Sequence, residues 1–344
     1  MAATTIVLDP LMSEAQADAM VRLCEDFGDY GLYVNEKSES TFASELAQRY
    51  DAAVNYVRSG GRFGRKEQPK TLALRTNYFR ESYAYGDERF ADGIDAFLFH
   101  ESLLGAAREL YDRPVIEPAI AYANILLPGQ ELAVHTDVPE FRGANRKLFP
   151  QWLMVVMHHS GLFDQWRMPI ATGVSYFARD GEQAPGGELA YYPDGPEGAV
   201  RVLAATHNSG IVLDTDSVFH GVDRVGVDGA EPPQLSEANV VHHDGGGRWS
   251  LRPYRGSDDV IESYGWGDLR FSVSWKAYCF ADEAERAAWH THADDLTFEF
   301  ILDRLRQDLD ARGVLAADAE IAEPELAVLL IDTYEHYPAP LSNA

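Results

Sequence analysis

Cysteine is scarce: Cys24 and Cys279 are the only two in 344 residues, and neither belongs to a Cys-x-x-Cys pair. A disulfide framework is therefore excluded, and a reducing cytoplasm is the expected setting. Both are read as small apolar residues in a helix and a strand. Basic residues are also few, 29 Lys and Arg against 55 Asp and Glu, which leaves a net charge of −26. Such a field repels phosphate backbones and anionic lipid headgroups, so nucleic acid and membrane-surface partners are not expected. No apolar run approaches the roughly 18 residues that span a bilayer, and Met1 to Pro10 lack the basic and apolar regions of a secretory signal. Internal repeats and a convincing linker are absent too, which favours one domain. Gly245-Gly246-Gly247 lacks the Lys-Ser/Thr sequel of a phosphate loop and the strand-to-helix setting of a dinucleotide fingerprint.

What is present is an ordinary globular composition, 46% hydrophobic and 24% charged, in a chain long enough for a sizeable core. From Ser13, a candidate N-cap, to about Phe27 the apolar residues recur at helical spacing. Residues 41 to 58 repeat that pattern, and residues 91 to 111 predict one or two further helices, so the first third (1–114) reads as mainly helical. After Val115 come short β-favouring stretches: Ile120 to Leu127, Leu132 to Asp137, Thr172 to Ala178, Glu188 to Tyr192, Ile211 to Asp214, Val218 to Val225 and Arg270 to Phe280. That spacing predicts a sandwich or barrel over 115–280. Within it, 226–269 is polar and aperiodic and reads as an inserted, mobile loop. Helical spacing returns over 281–344.

The informative segment is Pro128-Gly129-Gln130-Glu131-Leu132-Ala133-Val134-His135-Thr136-Asp137. Strand side chains alternate with period two, so His135 and Asp137 share a face and can meet one ion. His220, in Val218-Phe219-His220-Gly221-Val222, supplies a second imidazole. Two His and one carboxylate form the facial triad of non-haem Fe(II), which leaves positions open for co-substrate and O₂. Downstream, Arg270 and Ser272 share a strand face and offer a guanidinium fork and a hydroxyl, a pair suited to a dicarboxylate.

These pieces, with Gly186-Gly187-Glu188-Leu189 and Gly210-Ile211-Val212-Leu213 between them, occur in the order found in a known family. The chain resembles the 2-oxoglutarate and Fe(II)-dependent oxygenases, in particular their prolyl 4-hydroxylase-like branch, over roughly residues 115 to 280. The resemblance implies a mainly β fold with flanking helices, its core a distorted double-stranded β-helix of the jelly-roll, cupin-like kind, in a single oxygenase domain. It implies that His135, Asp137 and His220 bind iron and that Arg270 with Ser272 holds the distal carboxylate of 2-oxoglutarate. Tyr122 or Asn124 would be the polar residue on the strand before the motif. The arginine departs from the family pattern, where it follows the second histidine by about ten residues; here 226–269 intervenes. The choice of Arg270 over Arg224 or Arg252 rests on its Arg-x-Ser strand.

The implied reaction couples O₂ and decarboxylation of 2-oxoglutarate, giving succinate and CO₂, to oxidation of an unactivated C–H of a small, anionic metabolite or amino acid. Asp137 favours hydroxylation over halogenation, because the related halogenases have a small residue there, while desaturation or cyclisation uses the same triad. The rival readings are a cupin-like isomerase or zinc hydrolase that does not use 2-oxoglutarate, and an inactive binding or sensing protein on the same scaffold. Substrate candidates come from the basic, aromatic stretch after Asp137: Arg142, Arg146, Trp152, His158 and Trp166, with Arg167 beside them. Arg142, Arg146 and Arg167 either bind a carboxylate or phosphate or pair with surface carboxylates. His158 and His159, read as strand neighbours, face opposite sides and so cannot share an ion; one would line the pocket and the other be structural. His242 and His243 read as exposed loop residues.

Overall fold

The computed structural model describes residues 5–33, 60, 62–64, 69–316 and 318–340. Along them run the strands β1 (Thr5–Leu8), β2 (Asp29–Leu32), β3 (Phe79–Tyr85), β4 (Glu88–Arg89), β5 (Val115–Leu126), β6 (Leu132–His135), β7 (Glu140–Phe141), β8 (Arg167–Met168), β9 (Ile170–Tyr176), β10 (Leu189–Tyr192), β11 (Arg201–Leu203), β12 (Ser209–Leu213), β13 (Phe219–Val222), β14 (Val240–Gly245), β15 (Arg248–Arg252), β16 (Glu262–Gly265) and β17 (Arg270–Phe280).

Eight of these strands make two antiparallel sheets whose inner faces line one cavity. The order β12-β9-β17-β5 belongs to the larger sheet and β11-β10-β13-β6 is the smaller. Because the chain passes back and forth between them, each sheet collects strands that are not consecutive, which is the jelly-roll or double-stranded β-helix arrangement. The larger sheet continues past this core, with β1 on β12 at one end and β3, β2, β14, β15 and β16 beyond β5 at the other.

Period-two alternation divides the long strands between chemistry and packing. On β17, Arg270, Ser272, Ser274 and Lys276 line the cavity, while Phe271, Val273, Trp275, Ala277 and Cys279 enter the main hydrophobic core. On β5, Tyr122, Asn124 and Leu126 line the cavity, and Ala121, Ala123 and Ile125 face the core. The helices Glu14–Phe27 and Glu101–Tyr111 cover that outer face through Met20, Val21, Leu103 and Ala107. Ser13 starts the first helix, its hydroxyl and backbone N–H both donating to Gln16 Oε1. Trp275 is fully buried, and its indole N–H donates to Leu98 O at 2.7 Å. A side chain of that kind stabilises the fold by about 2–3 kcal/mol through burial alone. A second core joins the helices Gln151–Ser160, Phe298–Ala311 and Glu323–Tyr334.

The structure corrects several expectations. The first third also contributes strands: among its described residues β1 to β4 stand beside the helices Glu14–Phe27 and Pro69–Thr76 and, within 91–111, the two helices Asp95–Leu98 and Glu101–Tyr111. The helix expected over 41–58 lies outside the described residues. Most notably, 226–269 is no inserted loop: β14, β15 and β16 form a meander that joins the large sheet through β2. Its runs are short and their partner edge comes from residue 29 onward, so no local pattern announces them. Burial holds the meander in place, with Trp249 packed against Tyr30, Trp266 and Phe271. His242 and His243 are therefore strand residues; His242 Nδ1 lies 2.6 Å from Asp29 Oδ1 and His243 Nδ1 3.1 Å from Glu25 O.

The root of this meander presses on the turn before β6. Gly129 has φ of 83°, and a Cβ there would lie 2.2 Å from Pro232 N and 2.3 Å from Glu231 C. Only glycine combines that left-handed conformation with so close an approach. Arg75 ties the two together, donating to Gly129 O and Glu231 Oε2. Among the described residues no helix is long and apolar enough to cross a membrane.

Candidate metal centre

β6 and β13 are neighbours, and their register sets His135 directly opposite His220 with ring centroids 4.5 Å apart. Gly221 permits this approach, since a Cβ on it would lie 2.7 Å from Leu132 O. Asp137 follows just beyond β6, where its backbone N–H donates to Thr215 O at 2.8 Å. One ligand atom from each of His135, Asp137 and His220 lies within 4.8 Å of the other two. Asp137 Oδ1 is 3.8 Å from His135 Nε2 and 4.0 Å from His220 Nε2.

Those separations are too long for hydrogen bonds. They suit donors that surround an ion with bonds of about 2.0–2.2 Å. The other ring nitrogens settle the tautomers. His135 Nδ1 lies 2.8 Å from Ala133 O and His220 Nδ1 2.9 Å from Val218 O. A carbonyl can only accept, so each Nδ1 carries the proton and each Nε2 presents a bare lone pair toward Asp137. Burial, reinforced by His135, pushes the His220 imidazole down to about 4, so it stays neutral as a ligand must. Burial alone would raise the Asp137 carboxyl, but the Lys276 ammonium beside it holds it well below the usual carboxylate range. Lys276 Nζ donates to Asp137 Oδ2 at 2.6 Å, which leaves Oδ1 for the imidazole side. Two neutral imidazoles and one carboxylate, all preset by the backbone, fit a divalent first-row metal.

The triad opens into a cavity of about 250 Å³. Arg270 stands in its wall, 3% exposed, donating through Nε to Gly187 O, through Nη1 to Ser272 Oγ and through Nη2 to Tyr176 OH at 2.6, 3.3 and 3.2 Å. The other two arginines considered for this role are elsewhere: Arg224 pairs with Glu131 at 2.9 Å and Arg252 with Asp244 at 2.5 Å. Among the described residues no carboxylate pairs with Arg270. A buried guanidinium in that state calls for an anionic ligand. Tyr122 and Asn124 also line the cavity.

Of the substrate candidates, Arg146 reaches the cavity wall. The rest do not. Arg142 is bidentate to Asp294, at 2.7 and 3.0 Å, and also donates to Gln165 O. Trp152 is buried in the helical core and Trp166 packs on Phe300. Arg167 pairs with Asp214 and Asp216. His158 and His159 belong to the helix Gln151–Ser160, not to a strand; His158 Nε2 meets Ser217 Oγ at 3.0 Å and His159 stacks on Phe219. The run from Trp152 to Met157 is apolar throughout, and periodicity cannot tell a buried helix from a buried strand in such a run.

Two cations of the cavity were not anticipated, Arg80 and Lys276. Lys276 was in reach, because it continues the even-numbered face of Arg270 and Ser272. Arg80 was not, because β3 joins β5 through long-range pairing that no local pattern reveals.

No family model matches the sequence, and no curated protein matches it. Solved structures are similar at low identity. An oxidoreductase of the 2OG-Fe(II) oxygenase family from Burkholderia pseudomallei is 9% identical, with a TM-score of 0.41 over 80% of this chain and 85% of that one. A prolyl-4-hydroxylase from Pseudomonas putida is 11% identical, with a TM-score of 0.38 over 80% of this chain and 92% of that one. HygX from Streptomyces hygroscopicus, with nickel, 2-oxoglutarate and hygromycin B bound, is 10% identical, with a TM-score of 0.40 over 81% and 84%. At these values the chemistry has to be read from this chain's own side chains.

Proposed function

We propose that the protein is a non-haem Fe(II), 2-oxoglutarate-dependent oxygenase that hydroxylates a C–H bond of a small molecule. The observation that carries this is the donor set: two imidazoles with Nδ1 locked to backbone carbonyls, their Nε2 atoms turned to one carboxylate oxygen, on a cavity that also holds Arg270. Iron with 2-oxoglutarate and O₂ would supply the oxidising chemistry, one oxygen atom going to the product and one to succinate as CO₂ leaves.

The chain's own residues do the rest. His135, Asp137 and His220 would hold the metal, and the cavity beside them gives room for co-substrate and substrate. Arg270, braced by Ser272, Tyr176 and the Gly187 carbonyl, anchors the distal carboxylate of the co-substrate. Lys276 holds the far oxygen of Asp137, so that carboxylate binds through Oδ1. The enclosing sheets limit access of water to the reacting centre. Asp137 fills the position a halide would need, which makes hydroxylation the proposed outcome. The two buried, unpaired thiols fit work in the cytoplasm.

The test is anaerobic titration with Fe(II) and then 2-oxoglutarate, followed in air by a small-metabolite screen read by mass spectrometry. Metal-dependent co-substrate binding, and succinate formed together with a product heavier by one oxygen, are expected. Turnover without O₂ uptake or succinate would replace this reading with a cupin-like hydrolase or isomerase.

A further inference from the structure

Arg80 is the unexplained charge of the cavity. It sits on β3, opposite Asn124 on β5, and Asn124 in turn lies opposite Ser272 on β17. Arg80 thus occupies the cross-sheet row of Ser272, two strands away, on the cavity side that Arg270 shares. At about 4.8 Å per strand that is roughly 10 Å between backbones. Its side chain lines the same cavity.

The surroundings of this guanidinium are specific. Its carbon lies 3.6 Å from the centroid of the Tyr122 ring and 4.5 Å from that of Tyr33, with Tyr78 at 5.9 Å. Its Nε donates to Asn124 Oδ1 at 3.1 Å. Among the described residues it has no carboxylate partner, and its two terminal nitrogens donate to no protein acceptor. In a chain of net charge −26 that is unusual. Arg62, Arg113, Arg167 and Arg224 are each paired with a carboxylate, and Lys276 with Asp137. Aromatic contacts offset part of the desolvation of a buried cation, but they leave the N–H donors of its edge unsatisfied.

We infer that Arg80 is a substrate subsite, whose free edge binds the carboxylate of a small monocarboxylic acid. This rests on the oxygenase reading for the assignment of Arg270 to the co-substrate. Tyrosine rings occupy the guanidinium faces, so recognition is in the plane, where the fork matches a planar carboxylate. Among the described residues no carboxylate pairs with Arg80, so an anionic group on the ligand would balance its charge. The cavity, about 250 Å³, is smaller than most ligand pockets, which run from roughly 300 to 1,000 Å³, so the acid it takes is small.

The test uses the full chain loaded with Ni(II) and saturating 2-oxoglutarate. Calorimetry measures binding of benzoate, phenylacetate and hexanoate, each beside its neutral amide, and of inorganic phosphate. At least one carboxylate should bind tenfold or more tightly than its amide, about 1.4 kcal/mol. Arg80→Gln should erase that preference while 2-oxoglutarate still binds. Arg80→Lys, which keeps charge but loses the fork, should retain only part of it and serves if the glutamine variant fails to fold. The subsite is overturned if no carboxylate outbinds its amide, if Arg80→Gln keeps the preference, or if phosphate binds more tightly than every carboxylate. The same measurements on metal-free protein without 2-oxoglutarate, in an Arg270→Gln background, separate the two readings. Arg80-dependent carboxylate binding there, with no co-substrate binding to the loaded wild type, would sustain the subsite and remove the oxygenase.

Discussion

Arg142 and Arg167, outside the cavity, are held by Asp294 and by Asp214 with Asp216. Among the described residues, Arg270 and Arg80, in its wall, meet carbonyls, hydroxyls, an amide and rings but no paired carboxylate. The same residue type does structural work in the first setting and waits for an anion in the second. In a chain with nearly twice as many acids as bases, a buried arginine without a carboxylate marks a ligand better than a basic run in the sequence does. Histidine differs because it can shed its proton, which arginine cannot. His159, whose Nε2 meets no hydrogen-bond partner among the described residues, does so: burial, with His336 next, pushes it down to about 4.

The most damaging change to this contrast removes the donor set. His220→Ala should abolish metal binding and turnover, read by equilibrium dialysis and succinate release; unchanged metal content would detach the cavity arginines from any metal chemistry. Next comes Arg270→Ala. Losing one partner of a buried charged pair costs about 2–5 kcal/mol, so 2-oxoglutarate should bind roughly 30- to 5,000-fold more weakly, with metal affinity retained. Co-substrate affinity that stays intact would put this arginine on the structural side.

A smaller effect tests that histidine. His159 has a folded-state value of about 4 against 6.5 when unfolded. Between those values the unfolded chain binds the extra proton, so stability is whole above pH 6.5 and falls as pH drops toward 4. His159→Phe should flatten that part of the urea-denaturation profile of metal-free protein by about 3 kcal/mol; an unchanged slope would show the proton is taken up elsewhere. Smallest of all is Arg142→Ala. It should lower stability by no more than about 1 kcal/mol and leave turnover as it was, so impaired kinetics would return Arg142 to the substrate site.

Legibility in the sequence follows the range of the interactions. His135 and Asp137 are two apart on a strand, and Arg270 and Ser272 likewise, so period two alone sets each pair on one face. Joining them to His220 needed the order of several short motifs, and the register of β6 with β13 closes the triad. The strands β14 to β16 stayed hidden because they are stabilised by the β2 edge and the aromatic packing of Trp249, not by any pattern within 226–269. Arg80 was hidden for the same reason. In the stretch from Arg142 to Arg167 composition could not choose between the two readings: Asp294 and Asp214 neutralise Arg142 and Arg167, while Arg146 reaches the cavity wall.

The close contact at Gly129 sets where this molecule can tolerate change. At its root the β14–β16 meander is wedged against the turn that delivers His135, so lengthening the chain near Glu231 or placing any larger residue at 129 would displace a ligand arm. At the hairpin tip, Gly245 and Gly246 face open space. Insertions, tags or a grafted recognition loop belong there, where they can be accepted without being felt at the ion.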